Sequence, residues 1–139
     1  MAFHPYLFFG RNCREAFTRY QEIFGGRLDL VTMKDMPSER PVPADQADLI
    51  MHAALIVEGQ LLMGSDDPTA DSFGPVHGMQ VNFSTAVVSE AKRVFDALAD
   101  GGAITLPIAE VPWSPMFGMC TDRFGTPWMI STDAPTGSA

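Results

Sequence analysis

Two histidines have the clearest chemical potential in this sequence. His4 stands at the start of the apolar stretch HPYLFFG, and His52 lies inside a second apolar stretch, LIMHAALIV. An imidazole can bind a metal or transfer a proton near neutral pH. His4 is therefore either the first ligand of a metal site or a polar residue of an edge strand. His52 is either a general base or ligand-binding residue in a cavity, or a hydrogen-bonded core histidine.

A second chemical pattern is a polar strand face in the second half of the chain. Gln80, Asn82 and Ser84 alternate with apolar residues in GMQVNFST. Side chains two positions apart in a strand point to the same side. This face either supplies hydrogen-bond donors and acceptors to a cavity or faces solvent, and the pattern fits both interpretations.

Methionine and aromatic side chains are concentrated in the segments that would surround such a cavity. The residues concerned are Met63, Trp113, Met116, Phe117, Met119, Trp128 and Met129. Methionine packs adaptably, and tryptophan offers a flat apolar wall with one hydrogen-bond donor. These residues form either an ordinary core or an apolar, partly aromatic pocket for a planar or hydrophobic ligand.

The elements that must position these side chains occur twice in the same order. In the first half, HPYLFFG predicts a strand, NCREAFTRYQEIFGG a helix and RLDLVTMKDM a second strand. We expect Asn12 to cap this helix, with Glu15 completing a weak capping box. Two further strands fall in LIMHAALIVEGQLLMGS, joined by a tight turn at Glu58 and Gly59.

The second half repeats this order. GMQVNFST predicts a strand, SEAKRVFDALADGG a helix with Ser89 as its N-cap, and AITLPIAEV another strand. The glycine pairs that end the two helices are 76 residues apart. PMFGMCTDRFGTPWMIST then supplies two strands joined by a turn at residues 122–125. Each half is therefore predicted to be one β-α-β-β-β module.

The repeated order predicts an α+β fold in which paired βαβββ modules form an incompletely closed eight-stranded barrel. We expect a single domain over residues 1–139, with module one at about 1–66, a linker at about 67–77 and module two at about 78–133. Two curved four-stranded sheets side by side leave a concave interior, where a small ligand would sit.

The connecting segments suggest turns and lids. Asp66 and Asp67 precede a proline and are predicted to be turn residues, as is Asp122. Two proline-rich loops, at residues 34–48 and 110–116, are candidate lids over a binding site.

Composition argues against several classes of function. The chain has 139 residues, a net charge of −8 and no basic run, which argues against nucleic acid and anionic membranes as partners. It contains no apolar run long enough to span a bilayer and no signal-peptide pattern, so we expect a cytoplasmic protein. The two cysteines, Cys13 and Cys120, are then expected to be buried free thiols rather than a disulfide.

Three stretches carry a resemblance to a known family: YLFFGRNCREAFTRYQEIFGG, IMHAALIVEGQLLMGSD and FGMCTDRFGTPWMI. In family order, they are similar to the PhnB-like branch of the vicinal oxygen chelate superfamily, which includes glyoxalase I, fosfomycin- and bleomycin-resistance proteins and extradiol dioxygenases. The resemblance implies paired βαβββ modules and, usually, a homodimer. PhnB-like proteins have often been labelled as a demethylubiquinone methyltransferase, but no glycine-rich S-adenosylmethionine loop follows the first strand here.

The resemblance also implies where a metal would bind in the metal-dependent members. One residue on the first strand and a carboxylate on the last strand of each module bind a single divalent ion. The matching positions here are His4, Met63, Gln80 and Met129. Two thioethers in place of two carboxylates make a poor site for zinc, nickel, manganese or iron(II). A metal would need His4 together with Gln80, or a carboxylate from elsewhere such as Glu110 or Glu58.

These observations favour a protein that binds a small apolar or aromatic molecule in the barrel cavity, with no cofactor. The alternatives are a metal-dependent lyase, isomerase or dioxygenase, and a non-catalytic dimeric interaction domain. The expected partners are a small-molecule ligand and a second copy of the chain, with neither nucleic acid nor membrane. Candidate cavity residues are His4, His52, Met63, Gln80, Asn82, Trp113, Phe117, Trp128 and Met129.

Overall fold

The chain divides between residues 73 and 74 into two compact units, each of which contains one of the predicted modules. The computed structural model describes residues 1–35, 41–69 and 76–133. Within these ranges, no helix is long and apolar enough to cross a membrane. The single-domain boundaries predicted from the sequence stay a prediction.

Module one contains one helix and a mixed four-stranded sheet. Its elements are β1 (Tyr6–Phe9), α1 (Cys13–Phe24), β2 (Arg27–Thr32), β3 (Ile50–Val57) and β4 (Gln60–Asp66), with short 3₁₀ helices at Met33–Asp35 and Ala44–Gln46. The strand order is β1-β4-β3-β2. The β1 strand runs parallel to β4, whereas the other two pairs are antiparallel. Glu58 and Gly59 form the predicted tight turn between β3 and β4, both with positive φ.

Module two repeats this arrangement. Its elements are β5 (Val81–Thr85), α2 (Val88–Ala99), β6 (Ala103–Val111), β7 (Ser114–Thr121) and β8 (Pro127–Thr132), in the sheet order β5-β8-β7-β6. The predicted α+β class with paired βαβββ modules is confirmed. The strand expected from residue 78 begins only at Val81, so Gln80 precedes it.

In each module, the helix packs against one face of its sheet. The α1 helix buries Cys13, Ala16, Phe17, Tyr20 and Ile23. Opposite them on the sheet are the buried Leu7, Phe9, Ala53 and Leu55. A Cβ atom added at Gly64 would lie 2.7 Å from Cε2 of Phe17, so glycine allows this close contact. Gly118 gives the Phe95 ring of α2 the same close approach to β7.

Asp66 joins three elements of module one. One carboxylate oxygen accepts a hydrogen bond from the Cys13 backbone amide at the start of α1, at 2.9 Å. The other accepts one from the Ile50 backbone amide at the start of β3, at 2.8 Å. Asn12 is the N-cap residue, as predicted, but its side chain makes no capping bond, so the predicted capping box is wrong. Asp66 is also no turn residue, since it lies buried in β4.

Asp122 has a comparable role in module two, within one turn. Its carboxylate accepts hydrogen bonds from the backbone amides of Phe124 and Thr126. It also accepts one from the indole nitrogen of Trp128, at 2.9 Å. The predicted turn is confirmed by the bond from the Gly125 amide to the Asp122 carbonyl. The turn therefore holds β7 and β8 in register.

Two other local predictions are wrong, and one lies partly outside the described residues. Ser89 lies inside α2, which begins at Val88. The proposed lid at residues 110–116 is a hairpin, because only Pro112 and Trp113 separate β6 from β7. Of the other proposed lid, residues 36–40 fall outside the described ranges.

Replacing Asp66 with alanine should destabilise the protein strongly. Two buried backbone amides would lose their acceptor, and we expect a loss of about 2–5 kcal/mol in the free energy of unfolding. Urea unfolding followed by circular dichroism measures it. Asp67→Ala is the matched control, because among the described residues the Asp67 carboxylate bonds to the exposed Thr69 and to no buried amide. Equal midpoints for both variants would contradict this role of Asp66.

The two cysteines are free and buried, as expected. Burial raises the pKa of the Cys120 thiol to about 11, with Asp122 as a second cause. Burial also raises the pKa of the Cys13 thiol, and Asp66 adds to that effect. Both thiols are therefore protonated and poorly nucleophilic at neutral pH.

We expect thiol labelling of the native protein at about pH 8 to be at least tenfold slower than in urea. Because both pKa values are higher in the folded than in the unfolded chain, stability is full below the unfolded thiol pKa of about 8.5 and falls as pH rises above it. Labelling with a chromogenic disulfide reagent, with and without urea, measures the difference in labelling rate. Rapid labelling of either cysteine in the native state would contradict it.

Candidate functional site

The sheet of module one has an open face, on the side opposite α1. Side chains alternate along β1, so Leu7 and Phe9 are buried beneath α1 while Tyr6 and Phe8 are 37% and 61% exposed. We define the open face of module one by Tyr6, Phe8, His52, Ala54 and Met63. Neighbouring exposed apolar side chains that form a contiguous patch mark a candidate interaction site.

A tyrosine–histidine pair lies on this open face. The Tyr6 hydroxyl is 3.1 Å from Nδ1 of His52, in an exposed setting. Their rings are stacked, with centroids 5.7 Å apart and planes at 30°. The Phe8 ring extends the aromatic surface, with its centroid 5.3 Å from that of Tyr6. The pair thus combines flat apolar surface with exchangeable hydrogen-bonding groups.

Strand register explains why residues 46 positions apart meet. Met63 pairs with Tyr6 on one side and with Ala54 on the other. His52 lies two residues before Ala54 on the same strand, and the tyrosine ring reaches it across β4. Val31 pairs with His52 and Thr32 with Ile50, so β3 has one extra residue, Met51, directly before the histidine. Such a β-bulge re-aims neighbouring side chains and is common beside functional sites.

Module two also has an open face, which we define by Asn82, Phe117, Met119 and Met129. Met129 pairs with Asn82 in β5 and with Met119 in β7. Trp113, in the hairpin turn, is 62% exposed and its ring meets that of Phe117 edge-on at 5.7 Å. This face therefore presents thioether and aromatic surface beside one amide.

The predicted site residues fall into three groups. His52 and Met63 lie on the open face of module one. Asn82, Phe117 and Met129 lie on that of module two, next to Trp113. His4 and Gln80 are exposed but precede the strands they were assigned to. Trp128 is 2% exposed on the α2 side of its sheet, bonded to Asp122, so we leave it out of the site.

Tyr6 and Phe8 are the site residues that sequence reasoning missed. Their signal was present in HPYLFFG, because strict alternation in a strand covered by one helix leaves every second side chain on the open face. The tyrosine–histidine contact had no such signal, since it depends on the pairing of β1 with β4 and of β4 with β3.

The residues at the matched metal positions do not fit a divalent metal ion. Of the four matched positions, His4 and Gln80 precede β1 and β5, and the strand neighbours of Met63 and Met129 are Tyr6 and Asn82. The matched set therefore contains one imidazole, one amide and two thioethers, with no carboxylate. Divalent zinc, nickel, manganese and iron prefer imidazole, carboxylate or thiolate. Throughout residues 1–35, 41–69 and 76–133, no group of three or more His, Cys, Asp or Glu could hold a metal ion.

Carboxylates from elsewhere do not complete such a site in the described ranges. Glu58 is exposed in the β3–β4 turn, and Glu110 is exposed in β6. The β1–α1 connection contains a single glycine, Gly10, and the first free amide of α1 is bonded to Asp66. That connection does not form a glycine-rich loop for S-adenosylmethionine.

We expect the protein to retain no stoichiometric divalent metal. After equilibration with zinc, nickel, manganese and iron(II) and then desalting, plasma mass spectrometry should find below about 0.1 ion per chain, since thioether and amide groups hold these ions weakly. Near-stoichiometric retention that is lost in His4→Ala or His52→Ala would contradict this expectation and identify the histidine as a ligand.

A family model and a known protein both match nearly the whole chain. A family model described as 3-demethylubiquinone-9 3-methyltransferase matches residues 1–131 of the chain. Protein YjdN of Escherichia coli (strain K12) is 32% identical over an alignment of 140 residues, gaps included. The alignment covers 94% of this chain and 95% of YjdN. The match therefore spans both modules.

Solved structures agree in fold. Protein PA1353 from Pseudomonas aeruginosa is 40% identical, with a TM-score of 0.86 over 96% of this chain and 98% of that one. The PhnB protein from Bacillus cereus is 25% identical, with a TM-score of 0.73 over 95% and 99% of the two chains. A glyoxylase/bleomycin resistance protein/dioxygenase domain from Frankia sp. EAN1pec shares the fold, with 15% identity and a TM-score of 0.67 over 98% and 93%.

Proposed function

The chain belongs to the PhnB-like family of the vicinal oxygen chelate superfamily, and on that premise we propose that it binds a small apolar or aromatic molecule on the open faces of its sheets. Binding requires no catalytic metal. The observation that carries the proposal is the exposed aromatic surface of Tyr6 and Phe8, beside the Tyr6–His52 hydrogen bond.

Contact between this apolar surface and water costs free energy. Burying apolar area stabilises by about 25 cal/mol per Å², so an exposed phenylalanine beside a tyrosine is a favourable place for a flat ligand. Stacked or edge-on aromatic contacts add about 0.5–1.5 kcal/mol each. Met63, opposite Tyr6, offers an adaptable thioether that adjusts to ligand shape.

The open face of module two supports the same function. Trp113 and Phe117 form an aromatic edge-on pair, and Met119 and Met129 lie side by side. Asn82 adds an amide with both a donor and an acceptor. Each open face therefore combines apolar area with a few polar groups, which is the usual composition of small-molecule sites.

A metal-dependent lyase, isomerase or dioxygenase is less well supported, because the matched positions contain two thioethers and no carboxylate. A purely structural interaction domain remains an alternative, in which a partner protein covers the open faces. We further propose a homodimer in the cytoplasm. The exposed Phe3, which precedes β1, offers apolar area to a second copy, and two free thiols suit a reducing compartment.

Nile red, a neutral planar dye whose fluorescence rises in apolar surroundings, should bind the native protein at micromolar concentration. Phe8→Ala should weaken binding about 5-fold, because loss of one aromatic contact costs about 1 kcal/mol. Val88→Ala removes an exposed apolar side chain from α2 instead and should leave the affinity unchanged.

The titration is read only for variants whose unfolding midpoint and molecular mass match those of the native protein. Absence of dye binding, or equal weakening by Phe8→Ala and Val88→Ala, would contradict the proposed function. A dimer that dissociates in Phe8→Ala without any dye binding would favour the interaction domain.

A further inference from the structure

Tyr6 and His52 form a donor–acceptor couple on the open face of module one. The hydrogen bond between the Tyr6 hydroxyl and Nδ1 of His52 leaves Nε2 as the second polar atom of the imidazole. Among the described residues, the imidazole of His52 is hydrogen-bonded to Tyr6. The couple is exposed, so a ligand resting on the aromatic surface reaches it.

The couple offers the same hydrogen-bonding groups in both histidine tautomers, but Tyr6 and Nε2 exchange the roles of donor and acceptor. If Tyr6 donates to Nδ1, then Nε2 carries a hydrogen and donates, while the tyrosine oxygen still accepts. If Nδ1 carries the hydrogen, the tyrosine oxygen accepts it, Nε2 becomes an acceptor and the phenolic hydrogen can donate elsewhere. In each case, the couple offers one donor and one acceptor.

We propose that the Tyr6–His52 couple anchors planar ligands that bear an aromatic hydroxyl group. This inference rests on the proposed function and names the class of ligand for its site. The two ring nitrogens of His52 point away from each other, so a ligand group meets Nε2 while Tyr6 keeps Nδ1. A hydroxyl group both donates and accepts, so it pairs with Nε2 in either tautomer. An ether only accepts, so it pairs with Nε2 only when Nε2 carries the hydrogen, and an unsubstituted ring pairs with Nε2 in neither tautomer.

Local structure gives the couple a fixed position. The β-bulge at Met51 sets the direction of His52, and the ring of Tyr6 stacks on the imidazole at 30°. Phe8 stands beside Tyr6 at 5.3 Å and supplies the apolar surface for the ligand ring. A hydroxyl at the edge of that ring would then meet the couple, while the ring itself lies against carbon.

The test compares 2-naphthol with 2-methoxynaphthalene by isothermal titration calorimetry at about pH 7, where a phenolic group of pKa near 10 is neutral. The native protein should bind 2-naphthol about 10-fold more tightly than the ether. Tyr6→Phe and His52→Phe, which keep a flat ring, should reduce this preference to below about 2-fold. The double variant should lose no more than either single one, because the two residues act as one unit.

Tyr20→Phe is the matched control. Tyr20 is the other tyrosine of the chain and lies buried in α1, so removal of its hydroxyl should leave the naphthol preference unchanged. A preference that persists in either Tyr6→Phe or His52→Phe would overturn the inference, as would equal affinity of the native protein for the two naphthalenes.

The outcomes also separate this inference from the proposed function. If the native protein binds Nile red but has equal affinity for the two naphthalenes, the aromatic surface binds ligands and only the hydroxyl preference is wrong. If neither naphthalene nor Nile red binds, both the inference and the proposed function fail. If Tyr6→Phe loses all binding, its preference for 2-naphthol cannot be measured. The inference then stands only if His52→Phe still binds and has lost the preference.

Discussion

The Asp66 carboxylate is the interaction on which module one depends. It bonds the first amide of α1 and the first amide of β3 from the end of β4, so a single side chain fixes where three elements meet. Its two acceptor oxygens satisfy amides that would otherwise be buried without a partner. Within the sheet, β4 lies between β1 and β3, and that order places Met63 beside Tyr6 and brings Tyr6 to His52.

Module two has a comparable aspartate, Asp122, whose hydrogen bonds lie within or next to one turn. Asp122 bonds amides two and four residues later and the indole of Trp128, so it stabilises one turn instead of three distant elements. The indole of Trp128 is therefore buried in the core beneath α2 and is not accessible to a ligand. The two modules share strand order and helix packing, yet their open faces differ: one has a tyrosine–histidine couple, and the other has an amide among thioethers.

Local patterns made most of the fold predictable. The short apolar run HPYLFFG, the glycine pairs after both helices and the Glu58–Gly59 turn all act within a few residues, so each element was identified from the sequence. The side chain that caps α1 was not, because Asp66 lies 53 residues from Cys13. The candidate site was only half predictable for the same reason. His52 and Met63 stood out by residue type, whereas their contact with Tyr6 depends on strand register and on a β-bulge that no local pattern reveals.

The most direct test of ligand binding on the open face is a nuclear magnetic resonance titration of protein labelled with ¹³C at its nine methionine methyl groups. Single Met→Leu substitutions assign the signals, and Nile red serves as the planar aromatic ligand. The account predicts that the Met63 methyl, opposite Tyr6 in the sheet, shifts strongly and saturably through ring currents. An unmoved Met63 signal at saturating dye would contradict the account, whichever other methionines respond.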